Sequence, residues 1–417
     1  MKIKEWITNK WINTPEHDLK NKNLKIIGIT GTVGKTTTID LLYQYLMFNE
    51  KRVYCISTSG VKCSCNSFYN HDDLQASGFH NQEDLFRHIE NAYRENCDYV
   101  LVEVTAEMIS EGIYDELDFD VLALTYFKTD VVQSFNSNKE YLECKSSIFK
   151  NLNTKKIILN SKCGSFVNEI KTVRNDTIYF GTDQDKYYYL GFTVDPNDYI
   201  VCEFNTDPEK IYHTKLLSSI NRDNLLCVFA VINELGEFDQ HKLVFTLDVA
   251  RIKGRLHKFN LDEREVVIDS GYNGIDGINF FVTEAEPKNT IAVTSVYNFE
   301  TDEKNQREQV VGFRKAKGVY FNEHFETIII TSSHRGKLDC EEQNINDMAS
   351  TCPKALKIPN RFEAIKKAWI LSKPGDRIFI TGKGTEKDIN VYGVKMDDEN
   401  IIKFIHNWMK DFNDFQK

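Results

Sequence analysis

Short apolar runs, several rich in isoleucine and valine, recur along this 417-residue chain and alternate with longer segments of helical period. The run Leu24–Thr30 has no polar alternation and reads as a strand buried on both faces. From Lys35 a helix follows, marked by Leu41, Leu42, Tyr45 and Leu46. Next come a strand at 52–58, a Ser/Cys/Asn-rich loop to about Asn81, a helix at 83–94, and strands at 99–104 and 119–126. A helix at 138–152 leads into strands at 157–160, 177–180, 187–194 and 199–204, a β-rich stretch with intervening turns. After a helix at 221–235 the alternation restarts. It predicts strands at 265–269, 290–296, 327–332 and 377–381, with helices near 278–284 and at 361–371 and 399–412. Residues 1–23 are polar and aromatic, and Ile3, Trp6, Ile7 and Trp11 predict a short helix before Pro15. The expected fold class is α/β, built on parallel sheets with helices on both faces.

Chemistry first enters where the opening strand meets its helix. Gly31-Thr-Val-Gly34-Lys35-Thr36 places two glycines and a Lys-Thr pair at a strand-to-helix turn. Glycines let backbone N–H groups approach phosphate oxygens. The helix N-terminus adds its positive dipole end, Lys35 neutralises phosphate charge, and the Thr36 hydroxyl is a ligand for Mg²⁺. The strict G-x-x-x-x-G-K-[ST] pattern fails at its first glycine, where Ile29 stands. Glu103, at the carboxyl end of its strand, is placed to hold a metal directly or through water, or else is structural. Lys145 interrupts the apolar face formed by Tyr141, Ile148, Phe149 and Leu152. Either it snorkels to solvent, or desolvation lowers its pKa and leaves a neutral amine able to form a carbamate with CO₂.

The phosphate loop resembles the G-T-N-G-K-[ST] signature of the Mur ligase superfamily, with Val33 in the Asn position. Glu103-Val-Thr-Ala106 resembles the family's E-V-S-S, and Tyr141-Leu-Glu-Cys-Lys145-Ser-Ser-Ile-Phe149 its carbamylated-lysine helix. The resemblance implies ATP-binding residues Gly31, Thr32, Gly34, Lys35, Thr36, Thr37, Asn224, Arg255 and Asp269. It also implies Thr36, Glu103 and Lys145 as Mg²⁺ ligands, and Lys35, Glu103 and Lys145 as the catalytic set. Asn224 ends a segment similar to the family's adenine-contacting motif, although neighbouring Asp223 is equally readable as an acidic first-turn residue. Gly254-Arg255 resembles the family's domain junction, with His257 in place of its Glu. Asp269 matches a strand-end acid that binds ribose. Gly382-Lys383-Gly384-Thr385-Glu386 resembles G-K-G-H-E of the tripeptide synthetases, and Arg335 lies in a loose counterpart of their amino-acid recognition loop. Arg335, Lys383 and Glu386 are therefore the candidate substrate residues. Val131 stands where the family commonly has a second metal-binding histidine, so a second Mg²⁺ is expected to bind more weakly.

The implied architecture is a P-loop-containing, parallel-sheet ATPase domain (residues 1–256, with the short N-terminal helix) followed by a smaller Rossmann-like α/β domain (257–417). The implied reaction is ADP-forming amide synthesis from a small-molecule carboxylate acceptor and an amine or amino-acid donor, on a peptide or peptidoglycan-like substrate. The family's uridine-binding N-terminal domain has no counterpart here, which suggests a smaller acceptor or a protein partner replacing that domain. Two other readings stay open. One is an ATP-binding amidotransferase subunit served by a separate glutaminase; the other is a plain P-loop ATPase or phosphoryl transferase, which needs neither Lys145 nor Arg255.

Charge and cysteine usage narrow the class. A formal net charge of −10 argues against nucleic acid as a partner. No apolar run is long enough for a membrane span and no signal segment opens the chain, so a cytoplasmic location is expected. Ten cysteines are scattered, with one close pair, Cys63-Ser-Cys65. Without a second pair at ligand spacing, they read as mostly buried thiols.

Overall fold

A computed structural model describes residues 23–415 apart from 58–59, 66–80, 129–134, 136, 152–153, 172–173, 175, 196–198, 220, 270–278, 280–282, 286, 296–303, 334–337 and 384–388. The expected N-terminal helix, most of the helix near 278–284, and Val131, Arg335 and Glu386 lie outside the described residues. The chain divides into two compact units, the first ending at Ala250 and the second running from Arg251, with Leu217–Ser219 also grouped in the second.

The first unit is built on a seven-stranded sheet of β1 (Lys25–Thr30), β2 (Val53–Ser57), β3 (Gly60–Cys63), β4 (Tyr99–Val104), β5 (Val121–Leu124), β6 (Lys156–Asn160) and β7 (Thr177–Phe180). Their order is β3-β2-β4-β1-β5-β6-β7. All neighbours run parallel except β3, which folds back antiparallel on β2. That edge strand falls in the segment expected to be loop. Ile26, Ile27 and Ile29 are at most 1 % exposed and β4 is buried throughout, which explains why these strands read as unbroken apolar runs. Gly28 admits the Phe119 ring, because a Cβ there would lie 2.6 Å from it.

Helices α1 (Lys35–Phe48), α2 (Gln82–Arg94), α3 (Ala106–Ser110), α4 (Asn138–Ser147) and α5 (Gly164–Lys171) connect the strands. Asn81, Thr105 and Ser137 cap α2, α3 and α4 through side-chain oxygens. The short α5 replaces what the sequence suggested was a turn. An antiparallel meander of β8 (Tyr189–Val194), β9 (Tyr199–Phe204) and β10 (Asp207–Leu217) precedes α6 (Asn221–Leu235) and α7 (Gln240–Val249). The Phe204 and Phe229 rings stack at 3.8 Å between centroids, joining β9 to α6. The strand order changes direction around β1: the chain first crosses to β2, two places away, fills the gap with β4, and then crosses to β5 on the other side of β1. The carboxyl end of β1 is therefore a topological switch point, where doubly wound sheets bind ligands.

The second unit holds β11 (His257–Leu261), β12 (Arg264–Asp269), β13 (Thr290–Ser295), β14 (Thr327–Thr331), β15 (Leu356–Lys357) and β16 (Arg377–Thr381). They are ordered β11-β12-β16-β13-β14-β15, with β11 antiparallel to β12 and the rest parallel. Helices α8 (Lys304–His324), α9 (Leu338–Ala349), α10 (Arg361–Leu371) and α11 (Asp398–Phe415) complete the layers, and a small hairpin of β17 (Ile389–Val391) and β18 (Val394–Met396) precedes α11. Arg361 and Asp398, each the first residue of its helix and both fully buried, form a bidentate ion pair at 2.6 and 2.7 Å. Arg361 also donates to the Thr381 carbonyl at 3.2 Å. Removing one partner would strand a buried charge, a loss of about 3–5 kcal/mol.

Candidate active site

Gly31 to Gly34 turn the chain from β1 into α1 with both glycines at positive φ, +154° and +86°. A Cβ on Gly31 would lie 2.1 Å from Thr125 Oγ1, and one on Gly34 would lie 1.8 Å from Asn224 Oδ1. Space and backbone conformation thus both demand glycine. The loop is fixed from outside: the Thr32 N–H donates to the Tyr126 carbonyl at 2.7 Å, and the Thr125 hydroxyl donates to the Val33 carbonyl at 2.6 Å. Thr32 Oγ1 lies 3.0 Å from the Tyr141 hydroxyl, which ties the loop to α4. The Lys35 ammonium is half-buried and folds back on the Gly31 carbonyl at 3.1 Å. Thr37, one residue into α1 from Thr36, is buried.

Glu103 lies beside this loop because β4 is the parallel neighbour of β1, with Ile29 opposite Glu103. The Thr36 hydroxyl is 3.2 and 3.3 Å from the two Glu103 carboxylate oxygens. The Glu103 carbonyl accepts from the Tyr114 hydroxyl at 3.1 Å, which fixes the end of the strand. A hydroxyl and a carboxylate converging next to a phosphate-type turn are hard oxygen donors, and this donor set fits Mg²⁺.

Lys145 does not snorkel. It is 1 % exposed, and its amine donates to Thr30 Oγ1 and to the Gly31 carbonyl, each at 3.2 Å, from beneath the loop. Burial, reinforced by the positive charge of Lys35, pushes its pKa down to about 7. The Tyr141 ring lies 5.4 Å from the amine. The described part of the apolar stripe is real, with Tyr141, Ile148 and Phe149 all buried.

Asn224 is buried against Gly34 and donates to Asn221 Oδ1 at 3.1 Å, while Asp223 pairs with Lys162 at 2.6 Å. Arg255, Asp269 and Lys383 belong to the second unit. Asp269 ends β12 and is buried. Lys383, also buried, donates to the Ser333 carbonyl. His257 Nδ1 lies 3.4 Å from Glu399, whose carboxyl is held down to about 2, first by that imidazole.

Two features escaped the sequence reading. Lys317 of α8 is 1 % exposed, donates to the Ser295 carbonyl at 2.9 Å, and is pushed by burial to about 7. The nine described cysteines are free, and seven of them are buried, as expected of structural thiols. The close pair Cys63 and Cys65 nevertheless gains a third neighbour, Cys97, which only the fold brings near.

Residues 29–232 match the family described as the Mur ligase middle domain. The chain is 25% identical over 390 residues to a UDP-N-acetylmuramoyl-L-alanyl-D-glutamate–2,6-diaminopimelate ligase of Buchnera aphidicola, covering 88% of this chain and 73% of that one. It is 25% identical over 403 residues to the ligase of the same name from Bacteroides thetaiotaomicron, covering 92% and 78%. In fold it is similar to the MurF ligase of Thermotoga maritima in complex with ADP, with a TM-score of 0.67 and 17% identity over 98% of this chain and 84% of that one. It is likewise similar to the folylpolyglutamate synthase of Mycobacterium tuberculosis complexed with ADP and AMPPCP, with a TM-score of 0.66 and 12% identity over 91% and 92%. The phosphate-type loop closed by Lys35 and Thr36, with Glu103 facing it and the buried Lys145 beneath it, thus lies inside the segment that matches the Mur ligase middle domain, and the chain is similar over most of its length to ligases of that family.

Proposed function

We propose that the protein is an ATP-dependent, ADP-forming ligase that joins a carboxylate to an amine through an acyl phosphate. The observation that carries this reading is the convergence of Thr36, Glu103 and the buried Lys145 amine on one phosphate loop. A plain ATPase needs the first two but has no use for a desolvated lysine beneath the loop. Backbone N–H groups of residues 31–36 cradle the β- and γ-phosphates, with Lys35 leaving the Gly31 carbonyl to neutralise their charge. Thr36 and Glu103 would hold Mg²⁺, which would supply charge stabilisation to the transferring phosphoryl group. Lys145, neutral in part near pH 7, adds to CO₂, loses a proton and becomes a carbamate anion, a further oxygen ligand. Asn224, packed against Gly34, contacts the nucleotide.

The acceptor carboxylate attacks the γ-phosphorus, ADP leaves, and the amine then attacks the acyl carbon and expels phosphate. Positioning and electrostatics do the catalysis, and no side-chain nucleophile is required. By likeness to the named relatives, the acceptor is a peptide or peptidoglycan-like carboxylate and the donor an amino acid, selected by Arg335, Lys383 and Glu386. A cytoplasmic site of action accords with this supply of ATP, and no described helix is long and apolar enough to cross a membrane. The test is a screen of acceptor carboxylates and amines for ADP release. Release that depends on both, and is lost in Lys35→Ala, is expected. ADP release by wild type that ignores acceptor and amine alike would reduce the protein to an ATPase.

A further inference from the structure

The far end of the first sheet carries a cluster that the ligase reaction does not use. Cys63 closes the edge strand β3 and pairs with Tyr54 near the start of β2, Cys65 follows two residues later, and Cys97 lies in the turn that leads into β4. These are the amino ends of β2 and β4, whereas Glu103 and the phosphate loop lie at the carboxyl ends. The three sulfurs are all within 4.8 Å of one another, and those of Cys65 and Cys97 are 3.4 Å apart. Among the described residues this is the one group of three or more His, Cys, Asp or Glu ligand atoms drawn this close. Cys63 and Cys97 are buried and Cys65 is half-buried, so one side of the group opens toward solvent.

We propose that Cys63, Cys65 and Cys97 form a three-thiolate site for a thiophilic d¹⁰ cation, Zn²⁺, that clips the edge hairpin to the α2–β4 turn. Three sulfurs bound to one Zn²⁺ at about 2.3 Å stand roughly 3.8–4.0 Å apart, so occupancy requires shifts of less than about 1 Å. Thiolate donors select zinc over magnesium, which keeps this position separate in chemistry from the Thr36–Glu103 position. The three protein ligands occupy three tetrahedral positions, and the fourth lies on the half-exposed side, open to water. A divalent cation with three thiolates carries one net negative charge. Arg52 sits where it offsets that charge, its Nε donating to Cys65 Sγ at 3.4 Å while its Nη2 is anchored on the Glu95 carbonyl. The backbone holds the ligands in place before any metal arrives: the Ser64 N–H donates to the Val53 carbonyl at 2.9 Å, the Val53 N–H to Ser64 Oγ at 2.8 Å, and the Cys97 N–H to the Ala92 carbonyl at 2.9 Å.

The test uses the full chain, kept reduced, loaded with Zn²⁺ and desalted before metal analysis. One Zn²⁺ per chain is expected in wild type and in Glu103→Gln, with none retained by Cys63→Ser/Cys65→Ser/Cys97→Ser. Co²⁺ in place of Zn²⁺ should give the sulfur-to-metal charge-transfer absorption that oxygen ligands cannot produce, and Zn²⁺ should displace it. Should the triple variant fail to fold, Arg52→Ala, which touches the site from outside, is expected to weaken Zn²⁺ retention by about tenfold to a hundredfold. Absence of the charge-transfer band in folded, reduced wild type would overturn the proposal. So would undiminished Zn²⁺ in the folded triple variant, or a Cys65–Cys97 disulfide recovered from cells quenched in acid and alkylating agent.

Discussion

Each of the two units buries a lysine at the carboxyl end of its parallel sheet, and the pair are chemically alike up to a point. Lys145 and Lys317 are each 1 % exposed, each donates to a main-chain carbonyl at the end of a strand, and burial brings each to about 7. Their surroundings differ. Lys145 lies under a glycine loop that a second lysine, Lys35, closes from above, with Thr36 and Glu103 alongside. Lys317 lies over the Phe321 ring, its amine 5.7 Å from the ring centre, and feels the charges of Arg361 and Asp269. A desolvated amine is therefore not in itself a reaction centre. What sets the first one apart is the glycine loop above it and the pair of hard oxygen donors, Thr36 and Glu103, beside that loop.

The comparison breaks most sharply at Lys35. Lys35→Ala should reduce ADP formation by at least about 10³-fold with the fold retained, since it removes the loop's side-chain charge on the transferring phosphoryl group. Lys317→Met should leave turnover close to wild type. Steady-state ADP release by the two purified variants checks both, and equal losses would erase the distinction between the units. The next effect in size belongs to Lys145→Ala, expected to lose about 10²–10³-fold and to recover part of it with formate or acetate, which can occupy the vacated ligand position. Absence of rescue in a folded variant would count against the carbamate.

Gly34→Ala asks whether the loop tolerates any side chain. Its Cβ would meet Asn224 Oδ1 at a φ of +86°, so a loss of about 1–3 kcal/mol in stability is expected by denaturant titration, together with weaker ATP binding. The smallest effect is one of pH. A lysine whose folded pKa lies near 7, below its unfolded 10.5, binds fewer protons folded than unfolded between those values. Its burden on the folded state is therefore full below about pH 7 and fades as the pH rises toward 10.5. Lys145→Met and Lys317→Met should each raise the Tm in CO₂-free buffer at pH 6.5, with the gain shrinking by pH 10. A gain that grows with pH would contradict the burial of that amine.

Much of this was readable from the chain. The parallel strands β1, β2, β4, β5, β6 and β7 of the first sheet and β12, β13, β14 and β16 of the second announced themselves because strands buried on two faces leave unbroken apolar runs. The antiparallel edge β11 and the two-residue β15 did not. Glu103 was placed by its position at the end of one run. What escaped had physical reasons. β3 is a four-residue edge strand, Gly60-Val-Lys-Cys63, set among serines, cysteines and asparagines, so composition argued for a loop. Helix α8 was missed because its buried stripe of Val310, Arg314, Lys317 and Phe321 carries two cations, one paired with Asp347 at 3.0 Å, which breaks the apolar period. Helix α5 spans only eight residues and begins with glycine. Cys97 is 32 residues from Cys65, and only the packing of β2 against β4 brings it to the pair.

The central claim is that a carboxylate accepts the γ-phosphoryl group at the loop formed by residues 31–36. With an acceptor found by the ADP screen, the direct measurement is the fate of ¹⁸O placed in its carboxylate. The account expects one ¹⁸O in the inorganic phosphate for each amide formed, since the acyl phosphate leaves that oxygen on phosphorus when the amine attacks carbon. Phosphate free of ¹⁸O, formed alongside amide, would contradict it.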